Sequence, residues 1–280
     1  MSRIHDAIAK ANERREKTEA LRPEGGGLPE ERMELPPSHP LPNPAHHLPD
    51  VPPLPITNPM LMSEEPHFRQ AREQFRKLKS EILTRIRTDF GGSGSLLVTS
   101  AFSGDGKTTL ALNLALTLAR EYDYTVLLID GDLRQPRLES FLGIPQTPGL
   151  LQCLEAETIL PDALRPTGHG NLVVMSAGGQ AENAAEILSS ARMKAFHDEI
   201  KGRYRDRIIL FDTPPCSLFA DAKVLSTLVD GILFVTRQGH GRPQKILECY
   251  KSLPREKHLG VIYNDAEISN FHSSYGSYYA

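Results

Sequence analysis

The sequence predicts an α/β fold in which a doubly wound, mainly parallel sheet carries helices on both faces. One indication is the stretch 96–120, where β-forming residues lead into a glycine-containing turn and then a helical pattern. Further short apolar runs recur along the chain, separated by stretches of helical periodicity. Strands buried on both faces are continuous apolar runs, and their alternation with helices is typical of a parallel sheet.

Two segments precede this pattern. Residues 1–22 carry an apolar stripe among charged residues, which predicts a short amphipathic helix. This helix is either a docking element for a partner or membrane surface, or a frayed terminus. Residues 23–65 form a proline-rich linker, since 13 of the 22 prolines lie between Pro23 and Pro66. Proline fixes φ and removes backbone donors, so we expect this linker to be extended and disordered.

Helical periodicity marks the start of the predicted folded domain, residues 66–270. The apolar residues at 67–87 lie on one stripe, which predicts a helix packed against the sheet. Glu73, Arg76 and Lys79 follow at three-residue spacing on its flank. They either pair with an adjacent subunit or form an ordinary solvated face.

The phosphate loop is predicted within the stretch 96–109, LLVTSAFSGDGKTT. It fits the Walker A pattern, with Ala101 in place of the first glycine, followed by Gly106, Lys107 and Thr108. Small residues let backbone N–H groups surround phosphate oxygens, Lys107 reaches the outer phosphates, and Thr108 is a ligand for Mg²⁺. This strand, loop and helix predict a P-loop NTPase fold. The predicted nucleotide-binding residues are Ser103, Gly104, Asp105, Gly106, Lys107, Thr108 and Thr109.

Carboxylates end two later apolar runs. Asp130 and Asp132 follow the run at 126–129, and Asp212 ends the run at 208–211. The carboxyl ends of parallel strands form the crevice in which α/β sheets bind ligands. Asp212 is therefore predicted to be a hard oxygen ligand for hydrated Mg²⁺. Helix capping explains one such residue more easily than three.

Alternating strands and helices complete the predicted domain. Further strands are expected at 126–129, 171–175, 208–211, 232–236 and 260–263, and helices at 110–120, 184–188, 191–202, 220–228 and 243–253. The stretch 146–170 mixes proline, glycine and short helical patterns, which predicts a surface insertion near the site.

Tyr263 is expected in the core. Arg134 contacts a phosphate, a neighbour or a local acid, and Asn264 reads an adenine base or stabilises a turn.

Several of these motifs together resemble the bacterial tyrosine kinases, or BY-kinases, over roughly residues 66–280. The segment 128–136, LIDGDLRQP, is similar to the Walker A′ motif of that family, with Gly131 where alanine is usual. The segment 211–215, FDTPP, is similar to its Walker B motif. The chain also ends in a tyrosine cluster, as do members that phosphorylate their own tails.

The resemblance implies a protein-tyrosine kinase that uses ATP and Mg²⁺. It implies that Lys107, Asp130, Asp132 and Asp212 are catalytic, with Asp130 as the base. Asp132 and Asp212 then lie around the Mg²⁺ together with Thr108. The residues alone do not separate the base from the metal ligands among the three carboxylates.

The segment 271–280 is the implied substrate, with phosphoacceptors at Tyr275, Tyr278 and Tyr279. Eleven residues separate Asn264 from Tyr275 and span at most about 35 to 40 Å. That reach is enough for a site on a neighbouring protomer. The alternative is a disordered aromatic terminus or a docking peptide.

The resemblance also implies partners. Glu73, Arg76 and Lys79 are similar to the ExxRxxR motif that joins protomers in ring-forming members, with lysine in place of the last arginine. Residues 1–15 resemble the start of cytoplasmic autokinases that accompany exopolysaccharide export systems. The implied activator is a membrane-anchored polysaccharide chain-length regulator, and other tyrosine-containing proteins are possible substrates.

Composition narrows the function classes. The net charge is −3 without a basic tract, so nucleic-acid binding is not expected. Three widely spaced cysteines fit a reducing cytoplasm and indicate no metal site, and Cys216 is expected to be a packing residue. No apolar run approaches the ~18 residues of a membrane span. We therefore expect a cytoplasmic protein that a partner recruits to the inner face of the membrane.

Two other function classes share this fold. A partitioning-type switch ATPase carries a lysine early in its phosphate loop, where this chain has Phe102. A non-catalytic nucleotide-binding subunit of a polysaccharide exporter needs no intact set of acidic residues. Detection of phosphotyrosine separates the kinase from both.

Overall fold

A computed structural model of the chain describes residues 51–54, 68–203 and 206–266. The predicted amphipathic helix, most of the proline-rich linker and the three tail tyrosines lie outside these residues. Along the described part of the chain, no helix is both long and apolar enough to cross a membrane.

Within the described residues, seven strands form one sheet in the order β3-β4-β2-β5-β1-β6-β7. Neighbouring strands are parallel, except that β3 runs antiparallel to β4. The strands are β1 (Gly94–Ser100), β2 (Thr125–Asp130), β3 (Arg165–Pro166), β4 (Leu172–Met175), β5 (Arg207–Asp212), β6 (Gly231–Arg237) and β7 (His258–Asn264). The predicted mainly parallel sheet is confirmed.

Helices connect the strands and cover the sheet. They are α1 (Arg69–Thr88), α2 (Lys107–Leu118), α3 (Leu138–Leu142), α4 (Leu150–Glu155), α5 (Leu160–Ala163), α6 (Ala184–Leu188), α7 (Ala191–Gly202), α8 (Asp221–Ser226) and α9 (Pro243–Lys251). A short 3₁₀ helix, Arg255–Lys257, precedes β7.

Two hydrophobic clusters lie on opposite faces of the sheet, because successive strand side chains point to opposite faces. On β1, Leu96 and Val98 join the cluster with α1 and α2, whereas Leu97 joins the other cluster. Residues from α4 to α9 pack in that second cluster. The central strands are therefore buried on both faces, which is why they read as continuous apolar runs.

The stretch 146–170 is not the surface insertion that its prolines and glycines predict. It forms α4, α5 and β3, and four of its leucines pack in the core with at most 8% of their surface exposed: Leu150, Leu151, Leu154 and Leu160. Each of these helices has six residues or fewer, which is too short for a clear period of 3.6.

The expectation that Tyr263 is a core residue is wrong. Its side chain is 58% exposed, as is much of Val261, which lies two residues earlier on β7. Strand β7 is an edge of the sheet, and Ile262 between them packs on the α1 side. One face of the edge strand is therefore covered and the other is open.

One short part of the predicted linker contacts the opposite edge of the sheet. The backbone N–H of Leu54 donates to the Thr167 carbonyl at 2.9 Å. Its carbonyl lies 2.8 Å from Nε2 of His169. Residues 51–54 thus lack helix or strand structure, as expected, yet they bond to the segment that follows β3.

Candidate active site

The phosphate loop connects β1 to α2 and has the conformation that its glycines predict. Gly104 and Gly106 have φ of 88° and 90°, a left-handed conformation that favours glycine. A Cβ at Gly106 would lie 2.2 Å from the amide nitrogen of Asn264, so close packing also excludes a side chain there. Lys107 is the first residue of α2. The amino end of that helix supplies N–H groups and a positive dipole for phosphate.

Exposure varies along the predicted nucleotide-binding residues. Ser103 and Gly104 are exposed, and Lys107 and Thr109 are half-buried. Asp105 is buried among them, with its side chain turned inward. The loop therefore presents small residues and a lysine to a ligand, while its one carboxylate lies beneath them.

Thr108 and Asp212 meet across the site, on α2 and at the end of β5. The Thr108 hydroxyl donates to Oδ2 of Asp212 at 2.6 Å. The other oxygen, Asp212 Oδ1, is buried and has no hydrogen-bond partner among the residues that the structure describes. A buried carboxylate oxygen without a partner, beside a hydroxyl, fits the hard oxygen ligands of Mg²⁺.

Asp130 lies beside Asp212, because β2 and β5 pair in a register that sets these two residues opposite each other. Its carboxylate accepts backbone N–H groups of Asp132, Arg137 and Leu138 at 3.0–3.1 Å. Burial and the charge of Asp212 raise the pKa of Asp130 to about 7. The strand end thus holds a carboxylate that is fixed in position and unusually basic.

Burial also raises the pKa of Asp212 to about 6, while Lys107 and the Thr108 hydroxyl oppose the shift. Asp132 adds negative charge that raises the pKa values of both Asp130 and Asp212. A cation bound between these groups and a nucleotide would favour their charged forms.

Asp132 lies in the turn after β2. Its Oδ1 accepts the backbone N–H groups of Arg134 and Gln135 at 3.2 and 2.9 Å. Among residues 51–54, 68–203 and 206–266, no group of three His, Cys, Asp or Glu side chains is placed to hold a metal ion. Mg²⁺ commonly takes one or two carboxylates with phosphate and water, so the pair of Thr108 and Asp212 suits it.

Arg134 contacts a local acid, one of the alternatives that the sequence left open. Its guanidinium donates to both carboxylate oxygens of Asp221, at 2.8 and 3.2 Å. It also donates to the Glu182 carbonyl and stacks over the ring of Phe219. The side chain of Asp221 is fully buried. This ion pair therefore ties the turn after β2 to the start of α8.

Two residues contact the phosphate loop that sequence reasoning did not assign to it. Asn264 donates from Nδ2 to the Asp105 carbonyl at 2.9 Å, so it braces the loop. His240, in the loop after β6, lies with Nδ1 2.7 Å from Oδ1 of Asp105. One sequence feature could have identified His240 as a site residue: it follows the carboxyl end of a predicted strand and lies between Gly239 and Gly241.

The three residues proposed to join protomers, Glu73, Arg76 and Lys79, lie on α1 and are called the oligomerisation flank below. Glu73 and Arg76 pair with each other at 3.1 Å and are largely exposed. Lys79 pairs with Glu121 of the same chain and is much less exposed. The flank therefore divides into an exposed pair and a lysine with an intramolecular partner.

Comparisons with known proteins identify the family to which the chain belongs. The family described as the CobQ/CobB/MinD/ParA nucleotide binding domain matches residues 96–273. Tyrosine-protein kinase YwqD of Bacillus subtilis is 34% identical over 211 residues, which cover 72% of this chain and 87% of the relative. Tyrosine-protein kinase CpsD of Streptococcus pneumoniae is 34% identical over 209 residues, 71% of this chain and 90% of the relative.

Solved structures give the same result. The kinase domain of VpsO is 30% identical, with a TM-score of 0.59 over 70% of this chain and 99% of its own. The chimerical protein CapA2B2 is 25% identical, with a TM-score of 0.66 over 76% of this chain and 93% of its own. Since named kinases match most of their length to a chain with an intact phosphate loop and carboxylate set, the chain belongs to the bacterial tyrosine kinases, protein-tyrosine kinases built on the MinD/ParA-type nucleotide-binding fold.

Proposed function

We propose that the chain is an autokinase that transfers the γ-phosphoryl group of ATP to Tyr275, Tyr278 and Tyr279 of a neighbouring copy. The observation that carries this proposal is the juxtaposition at the carboxyl ends of β1, β2 and β5. There, the phosphate loop meets the pair of Thr108 and Asp212, and the basic carboxylate of Asp130 lies beside that pair.

Phosphoryl transfer needs positioning and charge neutralisation more than covalent chemistry from the protein. Lys107 and the loop N–H groups neutralise the outer phosphates. Asp130 accepts the proton of the tyrosine hydroxyl, whose ordinary pKa is about 10. The pKa of Asp130 near 7 supports this role, since a buried carboxylate is a stronger base than an exposed one.

Thr108 and Asp212 would hold Mg²⁺, and Asp132 would bind a water molecule or the ion from the turn after β2. When bound, Mg²⁺ neutralises charge that develops on the transferring phosphoryl group. Asp212 contributes its unpartnered Oδ1, and Thr108 is held in place by its bond to Oδ2.

The biological role we propose is the regulation of exopolysaccharide or capsule synthesis and export. It rests on the resemblance of residues 1–15 to autokinases that accompany export systems. The proposed activator is a membrane-anchored polysaccharide chain-length regulator, which would recruit the chain to the inner face of the membrane. Its cytoplasmic segment should stimulate phosphotyrosine formation; an unchanged rate with that segment bound would contradict this role.

A ring of protomers is the proposed assembly. Glu73 and Arg76 are exposed on α1 and are available to a neighbouring copy. Replacing Arg76 with alanine should lower the native mass measured by light scattering. If the native protein and this variant have equal masses, the oligomerisation flank does not join protomers.

The experiment that tests the proposed function is mapping of phosphotyrosine after incubation with Mg²⁺ and ATP. We expect phosphate on the three tail tyrosines, and none in Lys107→Met or in a variant with all three tyrosines changed to phenylalanine. ATP hydrolysis without phosphotyrosine, with and without the activating segment, would instead favour the switch ATPase. Nucleotide binding without either reaction would favour the regulatory subunit.

A further inference from the structure

Asp105 is a buried carboxylate inside the loop that binds phosphate, and its side chain has no exposed surface. Its Oδ2 accepts the backbone N–H of Phe102 at 2.9 Å. Its Oδ1 lies 2.7 Å from Nδ1 of His240. A buried negative charge beside an anionic ligand is unfavourable unless a partner balances it. Among the described residues, the side chain of His240 contacts this carboxylate, and His240 belongs to neither the phosphate-loop motif nor the carboxylate motifs.

The loop after β6 is built to approach the phosphate loop closely. Gly239 and Gly241, on either side of His240, both have left-handed φ, 67° and 81°. A Cβ at Gly241 would lie 2.2 Å from the ring of Phe102. The rings of Phe102 and His240 meet edge to face, with centroids 5.8 Å apart. The backbone therefore brings the imidazole against the loop and leaves no space for a side chain on its second glycine.

A second strand end supports the same residue. Asn264, the last residue of β7, donates from Nδ2 to the Asp105 carbonyl at 2.9 Å. Asp105 is thus held at its side chain by His240 and at its main chain by Asn264. Its two chain neighbours, Gly104 and Gly106, lack a Cβ, so an unrestrained loop could adopt many other backbone conformations at these positions.

We propose that His240 is a positioning residue for the phosphate loop. Its N–H bond to Asp105 balances the buried carboxylate and holds the loop in the shape that binds the phosphates of the nucleotide. His240 itself does not contact the transferring group, so its loss weakens nucleotide binding and leaves the rate at saturating ATP nearly unchanged. This inference rests on the nucleotide binding in the proposed function, and it does not depend on transfer to tyrosine.

The test is the Kd of a non-hydrolysable ATP analogue with Mg²⁺, measured by calorimetry on the full chain. His240→Leu should raise the Kd about 10- to 100-fold, because a buried charged acceptor loses its donor. His240→Asn places an amide N–H where Nδ1 lies and should stay within about threefold of the native protein. The KM for ATP should follow the Kd, while kcat changes less than about twofold.

A double-variant cycle shows whether the effect passes through Asp105. In an Asp105→Asn background, which removes the buried charge, His240→Leu should change the Kd less than about twofold. An equal loss in both backgrounds, or native affinity in His240→Leu, would overturn the proposal. A lower kcat at unchanged Kd would overturn it as well. Thermal unfolding shows whether His240→Leu is folded. If it is not, the Kd values of His240→Asn and Asp105→Asn are compared with that of the native protein instead.

The two proposals fail in different ways. If the native chain binds no nucleotide, the proposed function fails, and the proposed effect of His240 on nucleotide binding fails with it. If the native chain binds the analogue and His240→Leu binds it equally well, the proposed function stands and the role of His240 alone is refuted.

Discussion

Buried carboxylates are the feature that distinguishes this site at the scale of single residues. Asp105, Asp130 and Asp212 are each at most 2% exposed, yet each has a different set of partners. Asp105 meets an imidazole, Asp130 accepts three backbone N–H groups, and Asp212 bonds a hydroxyl with one oxygen only. Partners of different kinds suit the three carboxylates to different roles, so one residue type can serve the site in several ways.

Asp212→Asn tests whether the unpartnered oxygen binds a cation. We expect the variant to lose about tenfold or more in Mg²⁺-dependent ATP affinity, since metal sites lose that much even from changes outside the ligands. Affinity without Mg²⁺ should be retained, because the amide oxygen of asparagine can still accept the Thr108 hydroxyl and Lys107 is unchanged. Calorimetry with and without the ion measures both. The same Mg²⁺ dependence in native and variant proteins would contradict a metal role for Asp212.

Arg134→Ala tests the cost of an unpaired buried charge at Asp221. Removing one partner of a fully buried ion pair typically costs about 3–5 kcal/mol. The Asp221 side chain is fully buried but that of Arg134 is 24% exposed, so we expect a loss toward the lower end of this range. Chemical unfolding should show this loss, and Asp221→Asn in the same chain should recover part of it. Lys245→Ala breaks the exposed pair with Glu248 and should cost less than about 1 kcal/mol. Similar losses for the two single variants would contradict this account.

Elements of the fold differ in how well the sequence predicts them. The strands that end in the site are short apolar runs that lead into the phosphate loop or end in aspartate, so β1, β2 and β5 are predicted by the local sequence pattern. Strand β3 has two residues and exists only through its pairing with β4. Helices α4 and α5 span less than two turns, so their periodicity is lost among neighbouring prolines and glycines.

The same contrast applies to the site. Lys107, Thr108 and the strand-end carboxylates lie in local motifs and were predicted from them. His240 and Asn264 reach Asp105 from 135 and 159 residues away, because the sheet order places β6 beside β1 and β7 on the other side of β6. Contacts that depend on the order of strands in the sheet cannot be predicted from a local sequence pattern.

The amino ends of the strands are joined by a separate polar network. Ser95 on β1 donates its hydroxyl to Asp230 at 2.9 Å and lies 3.0 Å from Nε2 of His197 on α7. Lys201 pairs with the same aspartate at 2.5 Å. This network ties α7 to the start of β1 and to the residue before β6, at the end of the sheet away from the site.

His197 predicts how stability changes with pH. Burial, and secondarily the charge of Lys201, lower the pKa of His197 below its ordinary value of 6.5. The unfolded chain therefore binds a proton more readily, so stability falls as pH drops through about 6.5 toward the folded-state pKa. Urea midpoints at pH 7.5 and 5.5 should differ less in His197→Gln than in the native protein. An equal pH dependence in the two proteins would contradict this assignment.

At the scale of the whole molecule, the two ends of the strands in the sheet carry different groups of polar residues. The carboxyl ends of the strands carry the nucleotide site, and the amino ends carry a buried polar network. The edge strand β7 ends at Asn264, which braces the phosphate loop, and the segment with the proposed phosphoacceptor tyrosines follows it in the sequence. Eleven residues from Asn264 to Tyr275 reach at most about 35 to 40 Å, which is long enough for the proposed transfer between copies.

The most direct test of transfer to the tail of another copy is a mixture of two complementary variants. Lys107→Met keeps its tyrosines but lacks the phosphate-loop lysine, and the triple Tyr275, Tyr278 and Tyr279→Phe variant keeps the site but lacks the acceptors. Neither should form phosphotyrosine alone with Mg²⁺ and ATP. The mixture should place phosphate on the tail of the Lys107→Met chain. Absence of phosphotyrosine from that chain, while the triple variant still binds ATP, would contradict the account.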